Sequence, residues 1–320
     1  MHLKGVSRNA ADLFLSFAEP REVDADDDLI DLVLDGVLEV EHGDDFLSGA
    51  DALPFMCASM SPIECDDLSR DALVHAQDLE TSDTSALAQS LYLFNRIPLT
   101  PFWRSRFPDR PAILDHLGTA RAPLKNLLEK TWRVSLDQRH WVSWFSRSRR
   151  SHRNDEVTYK LYVSPRPEFL REAFEIVVRV LADFPDAGFK IGNSAADLLR
   201  PDKLIVYFLS SEEMAEAGAR LARELAGCDP HGVPFTAKID ERGLISWGID
   251  PPDDDVALRW IGRRSWRQWV VERLAAAIAV AKWARTPAAV EPWRFSLERA
   301  ARSGIEVETW TPREALWSRA

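Results

Sequence analysis

Three short stretches between residues 157 and 211 alternate side chains with the two-residue period of a β-strand, which limits the chain to folds that contain a sheet. In Tyr159–Val163, alternation puts Lys160 and Tyr162 on one face and the other three side chains on the opposite face. Such a polar face either meets solvent or lines a site. Because a second strand pairs lysine with tyrosine in the same way, the pattern favours a site.

The other two stretches add further cations. Alternation in 203–208 places Lys203, Ile205 and Tyr207 on one face, and 188–192 sets a lysine between two glycines, where backbone can approach closely. An arginine precedes the last of these strands. The cationic and phenolic side chains that could converge on one anion are Lys160, Tyr162, Lys190, Arg200, Lys203 and Tyr207.

Helical and strand patterns together predict an α+β fold. The N-terminal part is mostly helical, with a small β-hairpin over 36–49, where apolar and charged residues alternate on either side of a His-Gly-Asp-Asp turn. Helical spacing recurs over 62–96 and 111–117, and 123–145 is interpreted as helical or irregular. A short amphipathic helix is also predicted over 8–18.

The C-terminal part has the pattern of an α/β domain, with a mixed sheet flanked by helices. The predicted helices span 167–184, 211–226 and 265–283, and two further strands span 233–239 and 243–247. The basic run 146–154 is interpreted as a solvated linker, so the predicted domains are 1–148 and 149–320.

The charge balance restricts the class of partner. A net charge of −11 and an isoelectric point near 5.2 argue against a general nucleic-acid binder. An acidic protein that binds phosphate must do so in a local basic pocket, and 157–211 offers one. The acidic remainder suits a leader peptide or another cationic partner.

Cysteine usage and apolar runs indicate a cytoplasmic protein that needs no cofactor. Cys57, Cys65 and Cys228 are odd in number and lack metal-ligand spacing, so neither a disulfide framework nor a zinc site is predicted. The N-terminus has no apolar core or cleavage site of a signal peptide. No apolar run reaches the length of a membrane span.

Lysine, tyrosine and arginine without metal ligands suit β-elimination of phosphate. A base removes the α-proton of a phosphorylated serine or threonine, and a lysine crowded by cations or desolvated by burial has the lowered pKa that this step requires. Arginine and lysine neutralise the leaving phosphate. Motifs of nucleotide-binding, zinc-dependent and acyl-hydrolase sites are absent from the sequence.

The order of Lys160-x-Tyr162, Lys190, Arg200 and a strand ending near Tyr207 resembles the phosphothreonine lyases among type III secretion effectors. It is still more similar to Hop-type effector-like proteins of actinobacterial pathways for class V lanthipeptides and thioamitides. The stretch 243–252 is also typical of that subgroup. The resemblance implies a cofactor-free, lyase-like domain that acts on a phosphorylated precursor peptide beside a separate kinase-like protein.

The resemblance also implies roles for individual residues. Lys190 falls at the position of the α-proton base, and Tyr162 at the position of the acid. The residues expected to bind the substrate phosphate are Lys160, Arg200, Tyr207, Lys203 and Arg267. Arg267, or alternatively Arg263 or Arg264, would replace an arginine that the effector lyases carry in a Ser-Tyr-Arg run.

Tyr162 is the main departure from the effector lyases, which have a histidine there. A phenol with a pKa near 10 matches neutral pH less well than imidazole. Three alternatives follow: Tyr162 donates a proton under the influence of Lys160, another group serves as acid, or the pocket binds without chemistry. The last describes a non-catalytic, peptide-binding subunit of a kinase, lyase and cyclase complex. A cyclase that adds cysteine to dehydroamino acids is a further alternative, without an activating zinc site in its favour.

Overall fold

A computed structural model describes residues 27–43, 45–56, 63–136, 140–148, 158–251, 265–286 and 289–313. Within them the chain contains helices and strands in the α+β arrangement that the sequence predicts. The predicted helix 8–18 and most of the predicted linker lie outside the described residues.

The helices are α1 Asp27–Leu34, α2 Gly49–Met56, α3 Asp67–Asp78, α4 Thr84–Leu93, α5 Pro101–Arg106, α6 Arg110–His116, α7 Leu124–Thr131, α8 Leu170–Leu181, α9 Ala195–Leu198, α10 Ser211–Glu224, α11 Trp266–Ala281 and α12 Pro292–Arg302. The strands are β1 Val40–His42, β2 Asp45–Leu47, β3 Trp132–Ser135, β4 Trp141–Ser146, β5 Tyr159–Val163, β6 Gly188–Gly192, β7 Leu204–Phe208, β8 Ala237–Lys238, β9 Ile245–Ile249, β10 Ile305–Glu306 and β11 Thr311–Pro312. The predicted hairpin over 36–49 is confirmed as β1 and β2.

Seven strands of the described chain form one sheet in the order β3-β4-β6-β7-β5-β9-β8. Every neighbouring pair is antiparallel, so the prediction of a mixed sheet is wrong. Helix α8 does connect two strands that run in the same direction, β5 and β6, but β7 lies between them and opposes both.

The interpretation of 123–145 as helical or irregular is wrong beyond residue 131. Helix α7 ends at Thr131, and β3 and β4 follow it as an edge hairpin of the sheet. Tryptophans in this segment fit a helical stripe and a strand equally well from spacing alone. The sheet therefore takes strands from both sides of the predicted boundary at residue 148, and the division into two domains stays a prediction.

Strand alternation gives the sheet two different faces. On one face, Leu161, Val163 and Val206 join a large core that includes the buried stripes of α8 and α10. On the other face, Tyr162, Ile205 and their neighbours form a small separate cluster. Helices α4 and α11 pack together in a third cluster and stand over this second face. A cavity remains between the sheet and these two helices.

No helix among the described residues combines the length and the apolar character that crossing a bilayer would require.

Candidate functional site

The cavity between the second face of the sheet and helices α4 and α11 has a volume of about 630 Å³. Strands contribute two lysines and three aromatic side chains, and Arg200 comes from the loop before β7. The helices contribute amides, a carboxylate, Tyr92 and apolar groups. The lining residues are Ala88, Gln89, Tyr92, Leu93, Trp141, Lys160, Tyr162, Lys190, Arg200, Ile205, Tyr207, Ser265, Gln268, Val271 and Glu272.

Strand register explains why the predicted residues meet. In the antiparallel pairing, Lys160 on β5 lies opposite Tyr207 on β7, and Tyr162 lies opposite Ile205. Lys190 on β6 also lies opposite Ile205, from the other side of β7. Side chains opposite one another on one face of a sheet are close enough to interact. The same-face prediction for Lys160 and Tyr162 is confirmed.

Three cations surround two aromatic rings. Lys190 Nζ lies 4.3 Å from the centroid of the Trp141 ring and 5.3 Å from that of Tyr207. Arg200 Cζ lies 5.6 Å from the Trp141 ring, and Lys160 Nζ lies 5.9 Å from the Tyr207 ring. Because Lys190 and Arg200 both lie close to the Trp141 ring, their charged groups are within roughly 10 Å of each other. This is about the distance over which charges interact in 0.1 M salt.

Asp202 orients Arg200 from below the cavity. The guanidinium of Arg200 donates to both Asp202 carboxylate oxygens, at 2.9 and 2.8 Å, and the Tyr92 hydroxyl donates to the same carboxylate at 3.0 Å. Asp202 is only 1% exposed. Burial by itself raises the pKa of Asp202, but the cations of Arg267 and Arg200 lower it below its ordinary value. The carboxylate therefore stays ionised and holds the arginine in place.

Lys160 forms an ion pair with Asp250, and both side chains are largely shielded from solvent. In the free protein this carboxylate neutralises one of the three cavity cations. An incoming phosphate would either share Lys160 with Asp250 or displace the Asp250 carboxylate from Lys160.

Lys190 has the lowered pKa that a general base requires. Its pKa falls to about 8, chiefly because burial disfavours the ammonium form, and then because the Lys160 and Arg200 cations repel it. At neutral pH a useful fraction of Lys190 is therefore neutral and able to accept a proton.

Tyr162 differs from Lys190, because burial raises the pKa of its hydroxyl well above 10. Among the described residues this hydroxyl makes no hydrogen bond. Tyr162 therefore keeps its proton throughout the neutral range and presents it as a donor on the cavity floor.

Lys203 and Arg267 do not line the cavity. Lys203 stands one residue before β7, where its ammonium donates to the carbonyl of Pro165 at 2.9 Å and lies 2.8 Å from His231 Nδ1. Arg267 is completely buried, with its guanidinium 4.5 Å from the Tyr92 ring and 3.3 Å from Asp202. Lys203 therefore contacts Pro165 and His231, and Arg267 contacts Tyr92 and Asp202, but neither side chain is part of the cavity lining. Arg263 and Arg264 lie outside the described residues.

Several cavity residues escape the sequence-based prediction. Trp141 lies on β4, in a segment where spacing alone does not distinguish a strand from a helix. Tyr92 and Asp250 reach the site through contacts distant in sequence, for which no local pattern exists. Asp202 lies only two residues from Arg200, but the sequence does not indicate that it pairs with this arginine. The described residues contain no group of three or more His, Cys, Asp or Glu side chains that could hold a metal ion.

Comparisons with known proteins give distant similarities. The chain is similar to the structure of the effector protein from Pseudomonas syringae pv. tomato strain DC3000, with 11% sequence identity, a TM-score of 0.43, and coverage of 77% of this chain and 96% of the other. The effector protein from Pseudomonas syringae pv. syringae strain 61 gives 12% identity, a TM-score of 0.41, and coverage of 77% and 99%. At TM-scores this low, neither similarity establishes a shared activity or shared site residues.

No protein-family model matches the chain, and no curated protein does. The narrower assignment to the lanthipeptide and thioamitide subgroup stays a prediction.

Proposed function

We propose that this protein is a phosphoserine and phosphothreonine lyase that forms dehydroalanine and dehydrobutyrine in a peptide. The observation that carries the proposal is Lys190, whose pKa of about 8 suits a base and whose neighbours Lys160 and Arg200 suit a phosphate. In line with the resemblance, the proposed substrate is a ribosomally made precursor peptide phosphorylated by a separate kinase-like protein.

The reaction requires one proton transfer and one bond cleavage. Neutral Lys190 Nζ accepts the α-proton, and the electron pair of that C–H bond forms the double bond between Cα and Cβ. The bond between Cβ and the phosphate oxygen breaks, and its electron pair leaves with the phosphate. Arg200 and Lys160 stabilise the charge that develops on the departing oxygen. The products are the dehydroamino acid, inorganic phosphate and protonated Lys190.

Tyr162 and Tyr207 are two residues of the cavity lining that carry hydroxyl groups. A hydrogen bond from Tyr162 would stabilise the leaving oxygen while the phenol keeps its proton, because its pKa is raised so far. In this proposal Tyr162 assists by donating a hydrogen bond, and phosphate leaves as an ionised species.

The raised pKa of Tyr162 also favours a second candidate function. A phenol that holds its proton so firmly is a poor acid, and the remaining cavity residues are sufficient to bind a phosphopeptide without cleaving it. The second candidate is therefore a non-catalytic, phosphopeptide-binding subunit of a kinase, lyase and cyclase complex.

Mass spectrometry of a phosphorylated peptide separates the two functions. With wild-type protein we expect loss of one phosphoric acid per phosphorylated residue, and with Lys190→Met no loss, although fluorescence anisotropy still detects binding of the peptide. Lys238→Met, an exposed lysine on β8 that lies outside the cavity, serves as the control and should behave as wild type. Binding without elimination by the wild-type protein, alone and with its kinase-like partner, would establish the second function.

A further inference from the structure

A second groove lies at the hairpin of β1 and β2, and it shares no lining residue with the cavity of the proposed active site. It has a volume of about 520 Å³ and lies between the hairpin, the start of α2 and the segment that follows α11. Its lining residues are Asp35, Gly36, Glu39, Asp45, Phe46, Leu47, Ser48, Gly49, Ala50, Asp51, Val280, Trp283, Ala284, Arg285 and Thr286.

The groove exposes two large aromatic side chains to solvent. Trp283 is 73% exposed and Phe46 is 61% exposed, although both line the same concavity. Every other tryptophan in the described ranges is buried or half-buried. Exposed aromatic residues in a concave surface are typical of binding sites, because a partner can bury them at a low cost in conformational entropy.

The charge of the groove indicates the sign of its partner. Four carboxylates, those of Asp35, Glu39, Asp45 and Asp51, line it together with one cation, Arg285. Asp35 is paired with Arg299 at 2.6 Å, whereas Glu39 and Asp45 have no ion-pair partner among the described residues. Within the described part of the chain, these are the two groove carboxylates that a cation from a partner would meet unpaired.

The floor of the groove is already ordered. The buried carboxylate of Asp51 accepts hydrogen bonds from the backbone of Arg285 and Thr286 at 2.8 and 2.9 Å, which ties α2 to the segment after α11. Gly49 has a φ of +58°, and a Cβ atom there would lie 3.0 Å from Val280. This close approach draws the hairpin against α11, so a ligand would meet a preformed surface.

The geometry points to a docking site for a cationic, amphipathic peptide segment of a partner protein. An apolar side chain of the segment lies between Phe46 and Trp283, and its lysine or arginine pairs with Glu39 and Asp45. This inference does not depend on the proposed lyase activity, because the groove and the cavity have separate linings.

A fluorescein-labelled helical peptide composed of leucine and lysine is the probe, and a matched peptide of leucine and glutamate is its control. We expect the lysine peptide to bind the full chain and to shift the Trp283 emission, and the glutamate peptide not to bind. The double variant Glu39→Lys/Asp45→Lys should weaken binding by about tenfold or more. Trp283→Ser should also weaken it, whereas Lys190→Met should leave it unchanged.

The charge control is Glu80→Lys/Glu241→Lys, which makes the same change in net charge at exposed positions outside the groove. If this control weakened peptide binding as much as the groove variant does, the overall charge of the protein would explain the effect, and the proposal would be overturned. Absence of binding, or binding that the groove variants do not alter, would also overturn it. Self-association of the wild-type chain that Trp283→Ser abolishes would identify a second copy as the occupant instead.

Discussion

The ammonium nitrogen of Lys190 lies 4.3 Å from the centroid of the Trp141 ring. An indole face attracts a cation, so Trp141 stabilises the protonated form of Lys190 and opposes the burial and the nearby cations that lower its pKa to about 8. Burial and two cations therefore lower the pKa of the proposed base, whereas the Asp202 carboxylate and the aromatic ring oppose them.

Replacing Trp141 with leucine should shift this balance toward neutral Lys190. Loss of a cation–π contact of ~0.5–1 kcal/mol would lower the pKa of Lys190 by about 0.4–0.7 unit. The acidic limb of the pH profile of kcat/KM should move to lower pH accordingly. Trp141→Phe retains a ring and should shift the limb less. An acidic limb that stays in place in Trp141→Leu would show that the ring does not influence Lys190.

Replacing Lys160 with glutamine should have the opposite effect. The Lys160 cation is, after burial, the largest contribution that lowers the pKa of Lys190, so its removal should raise that pKa. Elimination requires neutral Lys190, and the rise of kcat/KM with pH should therefore begin at higher pH than in wild type. Lys238→Gln, which removes an exposed lysine on β8, is the control and should leave the profile unchanged. An unchanged profile in Lys160→Gln would argue against Lys190 as the base.

Local patterns predict three of the four strands that line the cavity, β5, β6 and β7, and the face on which Lys160 and Tyr162 lie, because a strand imposes a two-residue period on its own side chains. They did not predict strand order or direction. Whether β7 lies between β5 and β6 depends on packing between segments that are far apart in sequence. Trp141 enters the site through the pairing of β4 with β6, and alternation within β4 contains no information about that pairing.

The same limit explains the two predicted residues that do not line the cavity. Alternation extends Lys203 onto the face of Ile205 and Tyr207, but β7 begins at Leu204, and the lysine turns toward His231. Arg267 lies on α11, and its helical position does not indicate that Asp202 neutralises it. Contacts between distant segments determine both orientations.

Asp202→Asn should destabilise the fold as well as impair the site. Removing the negative charge would leave the buried guanidinium group of Arg267 and the half-buried one of Arg200 without their shared partner. Breaking a buried ion pair in this way typically costs about 3–5 kcal/mol. Urea denaturation at pH 7 would measure the loss. Asp183→Asn, which breaks an ion pair of exposed Asp183 with Arg220 on the surface, is the matched control and should cost ~1 kcal/mol or less. Equal losses in the two variants would contradict a structural role for the buried cluster.

Lys203 should make the stability of the protein depend on pH. Burial lowers the pKa of Lys203 to about 7, whereas a lysine in the unfolded chain has a pKa of ~10.4. Between these values the unfolded state binds more protons than the folded state, so the free energy of unfolding rises with pH. For one group the slope is at most ~1.4 kcal/mol per pH unit. Below the pKa of Lys203 in the folded protein, both states carry the proton and Lys203 adds no slope. Above that pKa, the free energy of unfolding increases with pH.

Lys203→Met removes the titrating group and should flatten this rise between about pH 7 and 8.5. Unfolded cysteine begins to lose its proton in the same window, but it does so equally in the proteins compared. Urea denaturation of wild type and variant at several pH values in the window gives both slopes. Lys238→Met is the control, because it removes an exposed lysine on β8 and leaves Lys203 in place, so it should preserve the wild-type slope. Lys190, whose lowered pKa also contributes, is present in all three proteins, so the difference between slopes isolates Lys203. Identical slopes in Lys203→Met and wild type would mean that Lys203 stays charged in the folded protein, with its ammonium stabilised by Pro165 and His231.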